Sequence, residues 1–157
     1  MIKGLRVDHR LLHGQVAVAW FNTVGANTIL IANDAVAADE TRKKIMRMAK
    51  PANGKLVIKD IDYCIHAINT GLTDKYDMFV VVENVKDAYR LITETKVFDS
   101  LNLGGTPPTD ETRNISKTIN VTKEDERLLD ELAERGIEVE IRQVPAESKL
   151  LYVDARK

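Results

Sequence analysis

Cysteine is almost missing from this chain: Cys64 stands alone among 157 residues, so no internal disulfide can staple the fold. Long hydrophobic runs are missing too. Stretches such as Met78-Phe79-Val80-Val81-Val82 fall far short of the roughly 20 apolar residues that span a bilayer. Neither sign of charge dominates, with 23 Lys and Arg against 24 Asp and Glu, which removes the broad basic field of a nucleic-acid binder. No Gly-x-Gly-x-x-Gly fingerprint or Gly-Lys-Ser/Thr loop occurs, so nucleotide binding has no motif behind it. Met1-Ile2-Lys3-Gly4 leads straight into a strand-like pattern with no apolar signal region. Together these absences point to a cytoplasmic protein that meets a membrane only through a partner. They also suit one domain over residues 1–157, a length that buries a substantial core.

Apolar runs of strand length alternate with helix-period stretches, the pattern of parallel β-α-β units. Strands are expected at Ile2–Val7, Thr28–Ala32, Lys55–Lys59, Met78–Val82, Ser100–Leu103, Ile119–Val121 and Ile137–Gln143, the last at a sheet edge. Helices are expected from Gly14, over Val36–Ala49, Ile61–Asn69 and Val85–Thr93, and from a capping-box signal at Thr122 to about Arg135. Pro107 to Ser116 reads as a long polar loop. The fold class is therefore α/β: a single domain with an open, mostly parallel, twisted sheet of about seven strands and helices on both faces.

Ligands of such sheets collect at the carboxyl ends of the strands, where strand order reverses. Three polar clusters follow strand ends: Asp8 to Gln15, Asn33-Asp34 and Gly104-Gly105-Thr106. They are expected to share one rim. The first is the richest, running Arg6-Val7-Asp8-His9-Arg10-Leu11-Leu12-His13-Gly14-Gln15-Val16. It places His13 at a strand–loop–helix turn, beside free N–H groups and the positive end of a helix dipole, both of which favour an anion. A neutral imidazole, with an ordinary pKa near ~6.5, can attack a phosphoryl group in line. Arg10 offers a bidentate fork for the phosphoryl oxygens. Asp8 would orient either the imidazole or Arg10. Gly14, Gln15, Arg6, Asn33, Asp34, Gly104 and Gly105 are the candidate phosphate ligands around them.

Spacing alone leaves a plainer reading open, in which His13 caps a helix and the arginines pair with Asp8. A metal reading, with His9 and His13 four apart on one helical face, lacks a third ligand and the intervening glutamate of zinc proteases. His66 reads as structural, and Cys64 as a small buried apolar residue. The series Arg42, Lys43, Lys44, Arg47 and Lys50 is a solvated face, or a dock for an acidic partner.

The run Arg-x-Asp-x-Arg-Leu-Leu-His-Gly-Gln-Val resembles the IIB components of the mannose/fructose/sorbose-type bacterial sugar phosphotransferase system. Trp20, Ile31-Ala32-Asn33-Asp34, Asn102-Leu103-Gly104-Gly105 and Arg142-Gln143-Val144-Pro145 extend the resemblance over essentially the whole chain. It implies a phosphocarrier with phosphohistidine–sugar phosphotransferase activity. Such a carrier receives phosphate from a IIA histidine and passes it to a sugar imported by the IIC and IID membrane subunits. By the same resemblance His13 is phosphorylated on Nδ1, Asp8 and Arg10 belong to the active-site loop, and no metal or organic cofactor is needed. IIA is then a separate partner, and a homodimer is left open. Nucleic acid and direct membrane insertion are not expected, and His9 receives no role. The competing function is a phosphate- or nucleotide-responsive binding module that transfers nothing.

Overall fold

A computed structural model describes the chain from Met1 to Lys157. A seven-stranded sheet forms its centre, in the order β3-β2-β4-β1-β5-β8-β9. The first six of these, in that order, are Lys55–Lys59, Thr28–Ala32, Met78–Val82, Ile2–Asp8, Ser100–Gly105 and Glu138–Ile141, all parallel. Strand β9 (Leu150–Leu151) closes the far edge antiparallel to β8, with Ile141 opposite Leu150. The two strands at the middle of one half, β2 and β4, are buried at every position, which is why they read as unbroken apolar runs. Lys55 and Lys59 are exposed on β3, where charge discourages pairing at an open edge.

Side chains alternate across the sheet and build two cores. Leu30 and Ala32 of β2 and Met78, Val80 and Val82 of β4 join the larger core beneath α4 (Ile61–Asn69), α5 (Val85–Thr95) and α6 (Lys123–Glu134). Ile29, Ile31, Phe79 and Val81 face the other way. They pack against α1 (Gly14–Val24), α2 (Asp34–Ala37) and α3 (Glu40–Met48) through Trp20, Phe21, Val36 and Met46.

Several elements differ from the sequence expectation. The single helix over Val36–Ala49 is two helices, because Asp39 accepts from the Arg42 N–H at 3.1 Å and starts α3 afresh. The Ile119–Val121 strand, β7, lies outside the main sheet. It pairs antiparallel with β6 (Arg113–Ser116), inside the stretch expected to be a loop, to form a two-stranded ribbon. Strand β8 is not the edge: β9 and the short α7 (Tyr152–Ala155) come after it, and the Tyr152 side chain is fully buried. Both terminal elements are too short to carry a periodic signal.

Strands β1 and β5 are neighbours whose chains leave their carboxyl ends in opposite directions. One passes through α1 to β2; the other passes through the ribbon and α6 to β8. A crevice opens at such a switch point.

Candidate functional site

The residues of β1 alternate in character as well as in direction. Leu5 and Val7 enter the α5 core, while Arg6 and Asp8 point to the α1 side and are nevertheless buried, at 2% and 4% exposure. A buried guanidinium needs partners for its N–H groups. Arg6 Nη1 donates to Asn102 Oδ1 (2.6 Å) and to the Arg142 carbonyl (3.1 Å). Arg6 Nη2 donates to Asp8 Oδ2 (3.2 Å) and to the Gln143 carbonyl (3.0 Å). Trp20 lies 5.3 Å from the guanidinium on a cation–π line, and its indole N–H donates to the same Gln143 carbonyl at 2.9 Å. Gly104 makes room for all of this, since a Cβ there would overlap the Arg6 guanidinium. Burial pulls the Arg6 pKa below its ordinary value and Asp8 pushes back, so the group stays cationic at neutral pH.

Asp8 organises the loop between β1 and α1. Its Oδ1 accepts from the Arg10 backbone N–H at 3.1 Å, and its Oδ2 lies 3.1 Å from His13 Nε2. With a carboxylate at Nε2, the ring carries its proton there and leaves the Nδ1 lone pair free. The loop is also held by Leu11, whose N–H donates to the Asp8 carbonyl at 2.9 Å and whose φ is 58°. A left-handed leucine costs on the order of 1 kcal/mol. Burying Leu11 and Leu12 in the α1 core offsets that cost. The loop thereby sets His13 at the N-cap of α1, with its side chain 28% exposed.

No side chain caps α1. Helices α2 to α6 are capped in turn by Asn33, Asp39, Asp60, Asn84 and Thr122. The first turn of α1 therefore keeps its N–H groups available beside the imidazole.

Across from this loop stands the β6–β7 ribbon. Thr106 and Asn120 bond backbone and side chain to one another at 2.6–2.8 Å, and the Thr118 hydroxyl donates to the Gly104 carbonyl at 3.0 Å. Loop and ribbon enclose a polar cleft of about 350 Å³.

Of the residues expected at the site, Arg6, Asp8, Arg10, His13, Gly104 and Gly105 line this cleft. Arg6 does so from beneath, with its Nη groups bonded to protein acceptors, Asp8 among them. Gly14 and Gln15 are exposed at the start of α1. Asn33 and Asp34 do not join the cleft. Strand β4 separates β2 from β1; Asn33 Oδ1 caps α2 by accepting from the Val36 N–H, and Asp34 Oδ1 accepts from the Ile61 N–H, both at 2.9 Å.

His9 faces the cleft from the turn after β1, its N–H donating to the Gly105 carbonyl at 3.0 Å. It is not on α1, so the helical face that a metal pair of His9 and His13 would share does not exist. No group of three or more His, Cys, Asp or Glu is arranged to hold a metal ion. His66 is exposed on α4. Cys64 is buried, and burial pushes its thiol up to about 12. Lys44, Arg47 and Lys50 are exposed on or just after α3. The cleft is also lined by residues that sequence reasoning misses: Asn114, Lys117, Thr118 and Asn120 of the ribbon, and Gln143 from the far end of the chain. Their signal in the sequence is faint, a Lys117-Thr118 pair between two β-prone isoleucines.

A buried Asp8–Arg6 pair that orients a cleft histidine at a helix start, on a parallel α/β sheet, defines a site for handling an anionic group. The chain matches the family model described as the PTS system sorbose subfamily IIB component over residues 2–154. It belongs to that family, whose members are phosphotransferases of sugar uptake acting with IIA and IIC/IID partners. It is 27% identical over 148 residues to the fructose-specific EIIB component of Bacillus subtilis, covering 94% of this chain and 91% of that one. It is 30% identical over 155 residues to the mannose-specific EIIAB component of Escherichia coli K12, covering 98% of this chain and 48% of that longer protein. Among solved structures, the IIB domain of the sorbose permease from Klebsiella pneumoniae superposes with a TM-score of 0.94 at 24% identity, covering 99% of this chain and 96% of that one. The N-acetylgalactosamine-specific IIB component 1 of Escherichia coli gives 0.88 at 27% identity, covering 95% and 97%. No helix of the chain is long and apolar enough to cross a membrane.

Proposed function

We propose that His13 carries the phosphoryl group of this IIB component. The observation behind the proposal is the 3.1 Å contact between His13 Nε2 and the buried Asp8 carboxylate. This contact supports Nδ1 as the attacking atom. The Nδ1 lone pair forms the new P–N bond while the electron pair of the old P–N bond returns to the imidazole of a phosphorylated IIA protein. No proton has to move, because Nε2–H stays with Asp8, which also offsets the positive charge the ring gains. Arg10 and the open first turn of α1 receive the phosphoryl oxygens, whose charge rises in the transition state. Gly14 and Gln15 contribute backbone N–H groups there, and Gly105 shapes the floor. Arg6 acts through Asp8 as a positioning residue.

In the second half-reaction the P–N bond is exchanged for a P–O bond to a sugar hydroxyl presented by the IIC and IID subunits, and the hydroxyl proton leaves to a base. The activity is that of a protein-N(π)-phosphohistidine–sugar phosphotransferase, on the cytoplasmic side and docked to the permease. The sugar is a hexose or hexosamine of the kind the relatives are named for: mannose, fructose, sorbose or N-acetylgalactosamine. The membrane subunits, which present the sugar, choose it.

Incubation with phosphoenolpyruvate, the general phosphotransferase proteins and a matching IIA tests this reading. Acid-labile, alkali-stable phosphate is expected on the wild type and none on His13→Gln. Equal labelling of the two proteins would remove His13 from the reaction.

A further inference from the structure

Four side chains of fixed charge line the cleft: Arg6, Asp8, Arg10 and Lys117. Arg6 and Asp8 neutralise one another beneath the floor at 3.2 Å. Arg10 and Lys117 are both exposed, neither has a carboxylate partner, and they stand on opposite walls. Lys117 is at the turn between β6 and β7. The other polar side chains of that wall are largely committed to holding it in place. Asn120 bonds Thr106, Asn114 donates to Asn120 Oδ1 at 3.1 Å and to the Ser116 carbonyl at 2.6 Å, and Thr118 bonds Gly104. The Lys117 ammonium is the one charged donor the ribbon leaves unspent. Its stem rises from a ribbon pinned to the end of β5, at the border between this cleft and a smaller one beside Glu147.

Building on the phosphohistidine reading, we infer that Lys117 is the second cation for the phosphoryl group, holding it from the ribbon wall while Arg10 holds it from the His13 wall. A phosphoryl group carries about two negative charges at neutral pH. With Arg6 and Asp8 cancelling and the phosphorylated ring keeping its Nε2–H, Arg10 brings the His13 wall to about neutrality, and Lys117 is the charged donor on the opposite wall, which otherwise offers the group none. Lys117 forms and breaks no covalent bond. It lowers the cost of gathering charge between donor and acceptor imidazoles, and it favours the dianionic over the monoanionic form of phospho-His13.

Lys117→Met keeps the length of the side chain and removes its charge; Lys117→Arg keeps the charge. Lying at an exposed turn, both variants are expected to melt close to wild type. Phosphate uptake from phosphorylated IIA should slow about tenfold in Lys117→Met, the modest end for a lost transition-state donor because water reaches the site. Lys117→Arg should recover most of that loss. A second readout tracks the phosphoryl group itself. Its ³¹P titration midpoint on His13 should rise by about half a pH unit in Lys117→Met, since losing a cation disfavours the dianion. An unchanged midpoint overturns the inference whatever the rate. His13→Gln run in parallel separates the two ideas. Labelling that persists in it removes the phosphohistidine reading, whereas its silence together with an unaffected Lys117→Met removes Lys117 alone.

Discussion

Leu5 and Val7 on one face of β1, and Arg6 and Asp8 on the other, are four consecutive buried residues with opposite duties. The first pair disappears into a core of 25 residues whose demands are volume and apolarity. The second pair is equally hidden from water, yet its polar atoms answer to named partners up to 137 residues away. Mutating one face should therefore be read out as stability, and mutating the other as chemistry. Neighbours on a strand share a backbone position, not a function.

The largest expected effect belongs to Asp8→Asn. An amide has one acceptor oxygen and no charge, so it cannot serve Arg6, the Arg10 N–H and Nε2–H together or offset the charge the ring gains, and phosphate acceptance should fall about 10²–10⁴-fold, as in other carboxylate–histidine sites. A circular-dichroism spectrum and rate measured on the same sample check it; a rate within threefold of wild type would erase the contrast between the faces. Leu5→Ala should do the reverse. It should lose about 2–5 kcal/mol in urea unfolding while the transfer rate per folded molecule stays within about twofold. A smaller but more pointed pair lies on β5. Gly104→Ala drives a Cβ into the Arg6 guanidinium and should cost about 1–3 kcal/mol and part of the transfer rate. Gly105→Ala, whose Cβ meets nothing nearer than 3.7 Å, should stay within about 0.5 kcal/mol. Thermal melting of both variants against wild type distinguishes them, and equal losses would mean Gly104 is not the room Arg6 needs.

Much of the architecture is legible in the sequence because it depends on local pattern. Thr28–Ala32 and Met78–Val82 read as buried strands from composition alone, and Thr122 with Asp125 forms the capping box its spacing announces. Fold logic leads to the switch point between β1 and β5, and that point brings Asp8, His13 and Gly104-Gly105 together. The features that sequence reasoning misses depend on contacts distant along the chain. An arginine flanked by Leu5 and Val7 has the alternation of a solvent-facing position; nothing nearby says that carbonyls of residues 142 and 143 will bury it. Asn33 and Asp34 end a strand just as Asp8 does, but the intervening β4 sets them two strands from β1, where they serve as helix-end acceptors. Strand β6 reads as loop because it is only four residues long, whereas Ile119–Val121 is legible as a strand but not its partner, since the ribbon is held by Thr106, outside both.

The Gln143 carbonyl has a consequence for the order of assembly. It serves Arg6 and Trp20 together, so these two residues wait on one made 137 and 123 residues after them. A growing polypeptide can form its strands and helices as they emerge, yet the guanidinium beside Asp8 lacks two of its four acceptors until residues 142 and 143 arrive. Competence to accept phosphate then waits on that distant contact, and breaking it should disarm the molecule long before it unravels it.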